Sequence, residues 1–271
     1  MVRFERSSTM HPFFPTDLDP AALARLGFRM TQTAHTSRTM MLSELTLVLE
    51  SAPRTATKDA YAEAIQSENV AGKSTAATRK RTWERLRELY SLDLNGFLFR
   101  AFRNLWDHDR SAQPLLTLIA ACARDELLRA TAPVVVSLSV GEDLPREAIR
   151  DRIADQAGRS LGDITVNRTI AHVASSWQQG GYLQGRTFKK RVSGPAGPEA
   201  TALAAYIATL AGFRGRDLLH SGWIALLDVS PTRLQELLVE ARKLGLLDYR
   251  TSGDMMSLSF DMLASDPRRA I

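Results

Sequence analysis

Thr75-Ala76-Ala77-Thr78-Arg79-Lys80-Arg81-Thr82-Trp83-Glu84-Arg85-Leu86-Arg87-Glu88-Leu89-Tyr90 is the stretch on which the fold turns. Wound at 3.6 residues per turn, it puts Trp83, Leu86 and Tyr90 on one side. The other side carries Ser74, Thr78, Arg81 and Arg85, stepping by four, three and four. Lys73, Arg79, Lys80 and Arg87 flank that stripe, and Glu84 and Glu88 sit nearby. Upstream, Lys58–Gln66 reads as a shorter helix with Ala60, Tyr61, Ala64 and Ile65 on its apolar side, and residues 67–74 form a polar break containing Gly72. Helix, break and basic amphipathic helix together predict a helix-turn-helix unit. Guanidiniums on such a helix suit phosphates or guanine edges, and small hydroxyls near its N-terminus sit where backbone amides also attract phosphate. Between Arg79 and Arg87 five basic residues face one acid, Glu84, which favours that use over a solvated face held by internal ion pairs.

Outward from this unit the chain reads as helix after helix. Leu42, Leu45, Leu47 and Leu49 begin a helix ending near Pro53, and apolar periodicity predicts helices over 94–106 and 112–130. Val134-Val135-Val136-Ser137-Leu138-Ser139 is β-branched and predicts a short strand bounded by Gly141 and Pro145. Helices over 146–156 and 165–179 follow, and Gly180-Gly181 opens a hairpin-like stretch to Val192. Ser193-Gly194-Pro195-Ala196-Gly197-Pro198 is the clearest linker. Helices over 199–211, 215–227 and 231–244 come next, then strands over 246–250 and 256–260 around a turn at 251–254, a winged-helix pattern. The expected organisation is an N-terminal extension (1–38), a helical domain with the helix-turn-helix (39–130), a middle winged-helix-like unit (131–194) and a C-terminal winged-helix unit (195–271).

The later units differ in charge. In the helix over 165–179, Val166, Ile170, Val173 and Trp177 face inward. Thr165, Arg168, His172, Ser175 and Gln179 face outward with no acid among them. The ribbon beyond it carries Arg186, Lys189, Lys190 and Arg191, a basic wing beside a polar helix. A strand alternates sides, so Arg186 and Lys190 project one way and Lys189 and Arg191 the other. In the C-terminal unit, Leu234, Leu237, Leu238, Ala241 and Leu244 form the core stripe, while Glu236 and Glu240 offset Arg233 and Lys243. That unit lacks the electrostatics for phosphate and suits a structural or protein-contact role.

Composition narrows the function classes. The 271 residues carry a net charge of +5, with 44% hydrophobic and 24% charged residues, as in an ordinary soluble protein. A single cysteine, Cys122, excludes an intrachain disulfide framework and a four-cysteine zinc site, and its apolar neighbours suggest a small buried hydrophobe. The N-terminus shows no signal-peptide pattern and no stretch reaches the roughly 20 apolar residues of a spanning helix, so a cytoplasmic protein without membrane contact is expected. Gly72-Lys73-Ser74-Thr75 echoes a phosphate loop, but Ser67 stands where the second glycine belongs and an amphipathic helix precedes it in place of a buried strand. His11, His35, His108, His172 and His220 form no metal-binding spacing, and Asp107-His108-Asp109 reads as a solvated helix end. No nucleophile elbow or dinucleotide fingerprint occurs. No catalytic residue, cofactor, metal or small-molecule substrate is expected.

Glu68-Asn69-Val70-Ala71-Gly72-Lys73-Ser74, Thr78-Arg79-Lys80-Arg81, and Leu86 through Leu89-Tyr90 resemble the N-terminal signature of the BrxA family, small accessory proteins of BREX bacteriophage-defence systems. The helical middle and winged C-terminal part are also similar, so the resemblance covers roughly residues 40–262, with the segment before residue 39 as a departure. It implies a double-stranded DNA-binding protein without known catalytic activity, acting beside other BREX components. The expectation is therefore a mainly α protein, a helical bundle with helix-turn-helix and winged-helix units and small β-hairpin wings. It binds duplex DNA mainly at phosphate, through Lys73, Ser74, Thr78, Arg79, Lys80, Arg81 and Arg85 and through Arg168, His172, Arg186, Lys189, Lys190 and Arg191. The alternative is a protein-interaction scaffold of a defence complex whose basic stripe meets an acidic protein.

Overall fold

A computed structural model describes residues 11–31, 33–157, 162–253 and 255–269. The N-terminal residues 1–10 and Asp254 of the expected C-terminal turn lie outside them. The architecture is mainly α, with two small antiparallel hairpins.

Two helices are buried nearly all round and form the centre. In α6 (Gln113–Arg124) every residue from Leu115 to Ala123 is buried, and in α10 (Pro198–Leu210) every residue from Glu199 to Ala208. A helix apolar on all faces belongs inside, and these two pack on each other. The amphipathic helices surround them, each turning one stripe inward. These include α2 (Leu42–Ser51), α3 (Lys58–Gln66), α4 (Ala76–Tyr90) and α5 (Phe97–Trp106). Thr57 caps α3 by accepting from the Ala60 amide, and Thr75 caps α4 by accepting from that of Thr78. Trp83, Leu86, Leu89 and Tyr90 carry α4 onto α3 and α6.

The predicted strand at 134–139 is instead the end of a helix, α7 (Glu126–Ser137), which contains Pro133. Leu128, Ala132 and Val135 are buried at helical spacing against α8 (Arg146–Ala157) and α9 (Asp163–Gln179). That packing overrides the β preference of three consecutive valines. The single helix expected over 112–130 divides at Asp125, which is extended and caps α7 by accepting from the Leu128 amide.

After α9 the chain forms hairpin β1 (Leu183–Gln184) and β2 (Lys190–Arg191), with Leu183 opposite Arg191 and Gln184 opposite Lys190. Gly180 turns α9 into it; a Cβ there would lie 2.7 Å from Leu118 Cδ2 of α6. Beyond α10 come a 3-10 turn (Gly215–His220), α11 (Gly222–Ala225), α12 (Pro231–Lys243) and a five-residue hairpin, β3 (Asp248–Ser252) with β4 (Met255–Ser259). The last helix, α13 (Asp261–Ala264), packs on α5, where Asn104 Nδ2 donates to the carbonyls of Met262 and Ser265 at 3.0 Å.

The described residues before 39, 11–31 and 33–38, contribute to the core. Asp19 caps α1 (Pro20–Leu26), and Leu23 and Phe28 are buried. The rings of Phe13, Phe14 and Phe28 stand 4.8–5.8 Å from the buried Trp223, whose indole donates to the Phe13 carbonyl at 2.6 Å. One hydrophobic cluster of buried residues extends from Leu23 to Leu263.

Candidate nucleic-acid interface

The first half of α4 presents the basic stripe to solvent unevenly. Ser74, Lys80 and Arg81 are exposed, and Arg87 lies over the Trp83 ring at 5.9 Å. Thr78 is half-buried, its hydroxyl 2.8 Å from that of the capping Thr75, and Arg79 is half-buried as well. Two expected contacts already hold carboxylates: Lys73 Nζ lies 2.8 Å from Glu44 of α2, and Arg85 lies 2.5 Å from Glu88. A phosphate would have to displace those carboxylates, so the stripe available at once is Ser74, Lys80 and Arg81. The Lys73–Glu44 pair also ties the turn before α4 to α2, a structural use of the residue that suggested a phosphate loop.

On α9, Arg168 is exposed as expected, whereas His172 is half-buried. Its Nδ1 lies 2.8 Å from the His35 carbonyl. Burial holds the imidazole below the ordinary histidine range, and the nearby charges of His35, Arg168 and Arg38 act in the same direction against that hydrogen bond. Gln179 is likewise engaged, accepting from the Leu42 amide at 3.0 Å. The polar side of α9 is thus partly a docking face for residues 35–42, and polarity alone could not separate that use from an open surface. The same docking brings Arg38, which is exposed, into the field of Arg168 and His172. The sequence reading missed Arg38; its position just before α2 offered a weak signal.

Of the four hairpin cations only Lys190 and Arg191 lie on a strand, where they alternate, and Arg186 and Lys189 belong to the connecting tip. Arg186 and Lys190 are exposed, with Asp143 4.0 Å from Lys190. Lys189 folds back to Gln178 and to the Gly185 carbonyl. Arg191 points fully inward and is 1% exposed. It donates to Asp228, to the carbonyls of Val135 and Val192, and lies 4.6 Å from the Tyr182 ring centroid. Expected as a phosphate contact, Arg191 is instead the pin that joins the hairpin to α7 and to the turn before α12. A buried guanidinium needs such a complete set of acceptors.

Behind this face, His35, Asp125 and Ser176 form a fully buried chain. Asp125 Oδ2 lies 2.8 Å from His35 Nδ1, and His35 Nε2 lies 2.8 Å from Ser176 Oγ. The order imitates a hydrolytic triad, but the hydroxyl has the wrong role. Ser176 Oγ donates to the His172 carbonyl and accepts from the Met40 amide, so it meets His35 as an acceptor and has no proton to give it. Asp125 also accepts from the Thr33 hydroxyl and the Ala34 amide. Burial pushes the Asp125 carboxyl up, yet His35 and these amides outweigh it and leave the group below its usual value. The chain is a clasp holding residues 33–40 against α7 and α9. The Cys122 thiol is buried and raised well above its ordinary value, an inert hydrophobe. Among the described residues, no cluster of three or more His, Cys, Asp or Glu could hold a metal ion. No described helix is long and apolar enough to cross a membrane.

On α12 and its hairpin several charges pair with one another. Arg233 lies 3.0 Å from Glu236 and 2.8 Å from Glu240, and Asp248 pairs with Arg242 and Arg250. Between α12 and its hairpin runs a groove of about 870 Å³, lined in part by Leu219, Leu234, Tyr249 and Met255.

No curated protein and no solved structure matches the chain. Residues 32–138 match the model of one family, BrxA. The match is shorter than the 40–262 span of the sequence resemblance, but it begins earlier and takes in Thr33, His35 and Arg38, which the sequence reading had placed in a departing extension. Over residues 32–138 the chain carries the BrxA signature, and the family recognised in the sequence is the family it matches.

Proposed function

We propose that this chain is a non-catalytic accessory protein of BREX-type phage defence that binds duplex DNA, mainly at the phosphate backbone. The BrxA match supports the defence association. The observation that carries the DNA reading is the set of exposed cations on two neighbouring units. Lys80 and Arg81 project from α4, Arg38 and Arg168 lie at the docked face of α9, and Arg186 and Lys190 project from the β1–β2 hairpin. In each unit, cations lie on or after the second of two consecutive helices, and a hairpin follows the second pair, an order that suits helix-turn-helix binding with a wing. Contacts of this type position a protein without reading bases, so binding is weakly sequence-specific and falls steeply with salt. Gel shifts with two unrelated duplexes, each at low and at physiological salt, test it. Similar retardation of both, lost at the higher salt, is expected, and no retardation at low salt overturns it.

The scaffold reading has one observation of its own. The C-terminal unit pairs its charges internally and leaves Met255 75% exposed at the rim of its groove. We assign that unit to protein contact and the first two to DNA.

A further inference from the structure

Phe188, at the tip of the β1–β2 hairpin, is 80% exposed, the most exposed large apolar side chain among the described residues. The hairpin that presents it is firmly built. Gly185 begins the tip at φ +117°, and a Cβ there would fall 2.1 Å from the Phe188 carbonyl oxygen, so the turn closes only around glycine. Residues 141–144 run along the outside of β2: the Gly141 amide donates to the Arg191 carbonyl, the Arg191 amide to that of Glu142, and the Leu144 amide to that of Lys189, each at 2.8 Å. Arg191 pins the base from inside, and Lys189 is tied to Gln178 of α9. A well-supported hairpin therefore ends in an aromatic ring left 80% exposed among the described residues.

Single exposed apolar residues are common on protein surfaces and need no explanation by themselves. The neighbours of this one change the reading. Arg186 at the tip and Lys190 on β2 are both exposed, Lys190 on the side opposite the inward Arg191, and among the described residues Arg186 has no acidic partner. The acids near the base are occupied: Glu142 accepts from the Ser139 amide, and Asp143 faces Lys190. An aromatic ring between two cations, at the end of a narrow ribbon, matches a polyanion whose interior is a stack of flat bases. Side chains of this kind enter between base steps while flanking cations hold the phosphates on either side.

We infer that Phe188 is a wedge that inserts between base pairs of the bound duplex, with Arg186 and Lys190 gripping the adjacent phosphates. The inference rests on the proposed DNA binding and adds to it a stacking contact that salt does not screen.

The test uses the full chain and short duplexes carrying 2-aminopurine at successive positions, a base whose fluorescence rises when it is unstacked. Wild type should brighten the probe at saturation. Phe188→Ala should bind on the order of five- to tenfold more weakly, the low end of what one base–aromatic stack supplies, and leave the probe dark even when saturated. Its salt slope should equal that of wild type, because no phosphate contact is lost. Phe188→Leu, an apolar wedge without the ring, should recover part of the brightening. Arg186→Ala with Lys190→Ala should do the reverse, lowering the slope by about two while the saturated complex still brightens. If Phe188→Ala matches wild type in both affinity and brightening, the wedge is refuted and backbone binding stands. If wild type binds no duplex at low salt, both the wedge and the function it rests on fall.

Discussion

Replacing Asp125 by Ala removes the acceptor at the centre of the buried clasp. The Thr33 hydroxyl, at 2.9 Å, the Ala34 amide, at 2.6 Å, and the Leu128 amide, at 3.0 Å, lose their partner together with His35. Each buried donor left without an acceptor costs about 1–3 kcal/mol, so a loss of about 3–5 kcal/mol is expected. For a chain of this size each kcal/mol lowers the melting temperature by roughly 2–4 °C, so a fall of roughly 6–20 °C is expected. Thermal unfolding followed by circular dichroism reads it directly. Acid adds a second readout. The folded carboxyl lies below its ordinary value, so the stability it contributes is complete above about pH 4 and is lost as pH falls through the folded value. The gap between wild type and Asp125→Asn should therefore be widest near neutrality and narrow on acidification. A melting temperature of Asp125→Ala within about 2 °C of wild type, or a gap that does not narrow, would refute the clasp.

Other substitutions separate support from contact. Arg191→Ala should lower stability by about 3–5 kcal/mol, because it removes a buried guanidinium bonded to Asp228 and to the carbonyls of Val135 and Val192, whereas Lys190→Ala should leave the melting temperature within about 1 °C and reduce the salt slope of DNA binding by about 0.9; melting curves and anisotropy titrations on both variants distinguish the two roles. Phe28→Ala, in the cluster around Trp223, should destabilise by about 3–5 kcal/mol in urea unfolding, and a loss under about 0.5 kcal/mol would mean that the N-terminal segment is only laid on the surface. Arg81→Glu with Lys80→Glu should weaken duplex binding tenfold or more without unfolding α4, and a folded variant that binds like wild type removes α4 from the interface.

Elements whose identity is decided locally were legible in the sequence. Helices α3, α4 and α12 have hydroxyl caps at Thr57, Thr75 and Ser230 and a clear apolar stripe, and the structure places them within a residue or two of expectation. The opposite directions of Lys190 and Arg191 on β2 were legible too, whereas Arg186 and Lys189 lie in the tip, where strand alternation does not apply. What failed depended on distant partners. Three valines read as a strand until α8 and α9 are seen packed against α7. Phe13, Phe14 and Phe28 show no helical period, because they converge on Trp223, which lies some two hundred residues further along the chain. Arg191 looked like a surface cation because Asp228, the acid that lets it be buried, comes 37 residues later. His172 looked free because its acceptor is the backbone of His35. Side-chain type marks what a residue can do, and long-range packing decides which of those uses is open.

The central claim is that exposed cations on α4, α9 and the β1–β2 hairpin hold duplex phosphates, and the salt dependence of binding tests it most directly. Affinity for one duplex is measured by anisotropy across a salt series, for wild type and for a variant with Lys80, Arg81, Arg168 and Lys190 all changed to Ala. These four side chains lie on the surface, so the variant should fold. Wild type should lose affinity linearly in log–log form, and the variant should show a slope shallower by roughly three to four, about 0.9 for each phosphate contact removed. Equal slopes for the two proteins would contradict the account and leave the cations as a solvated surface.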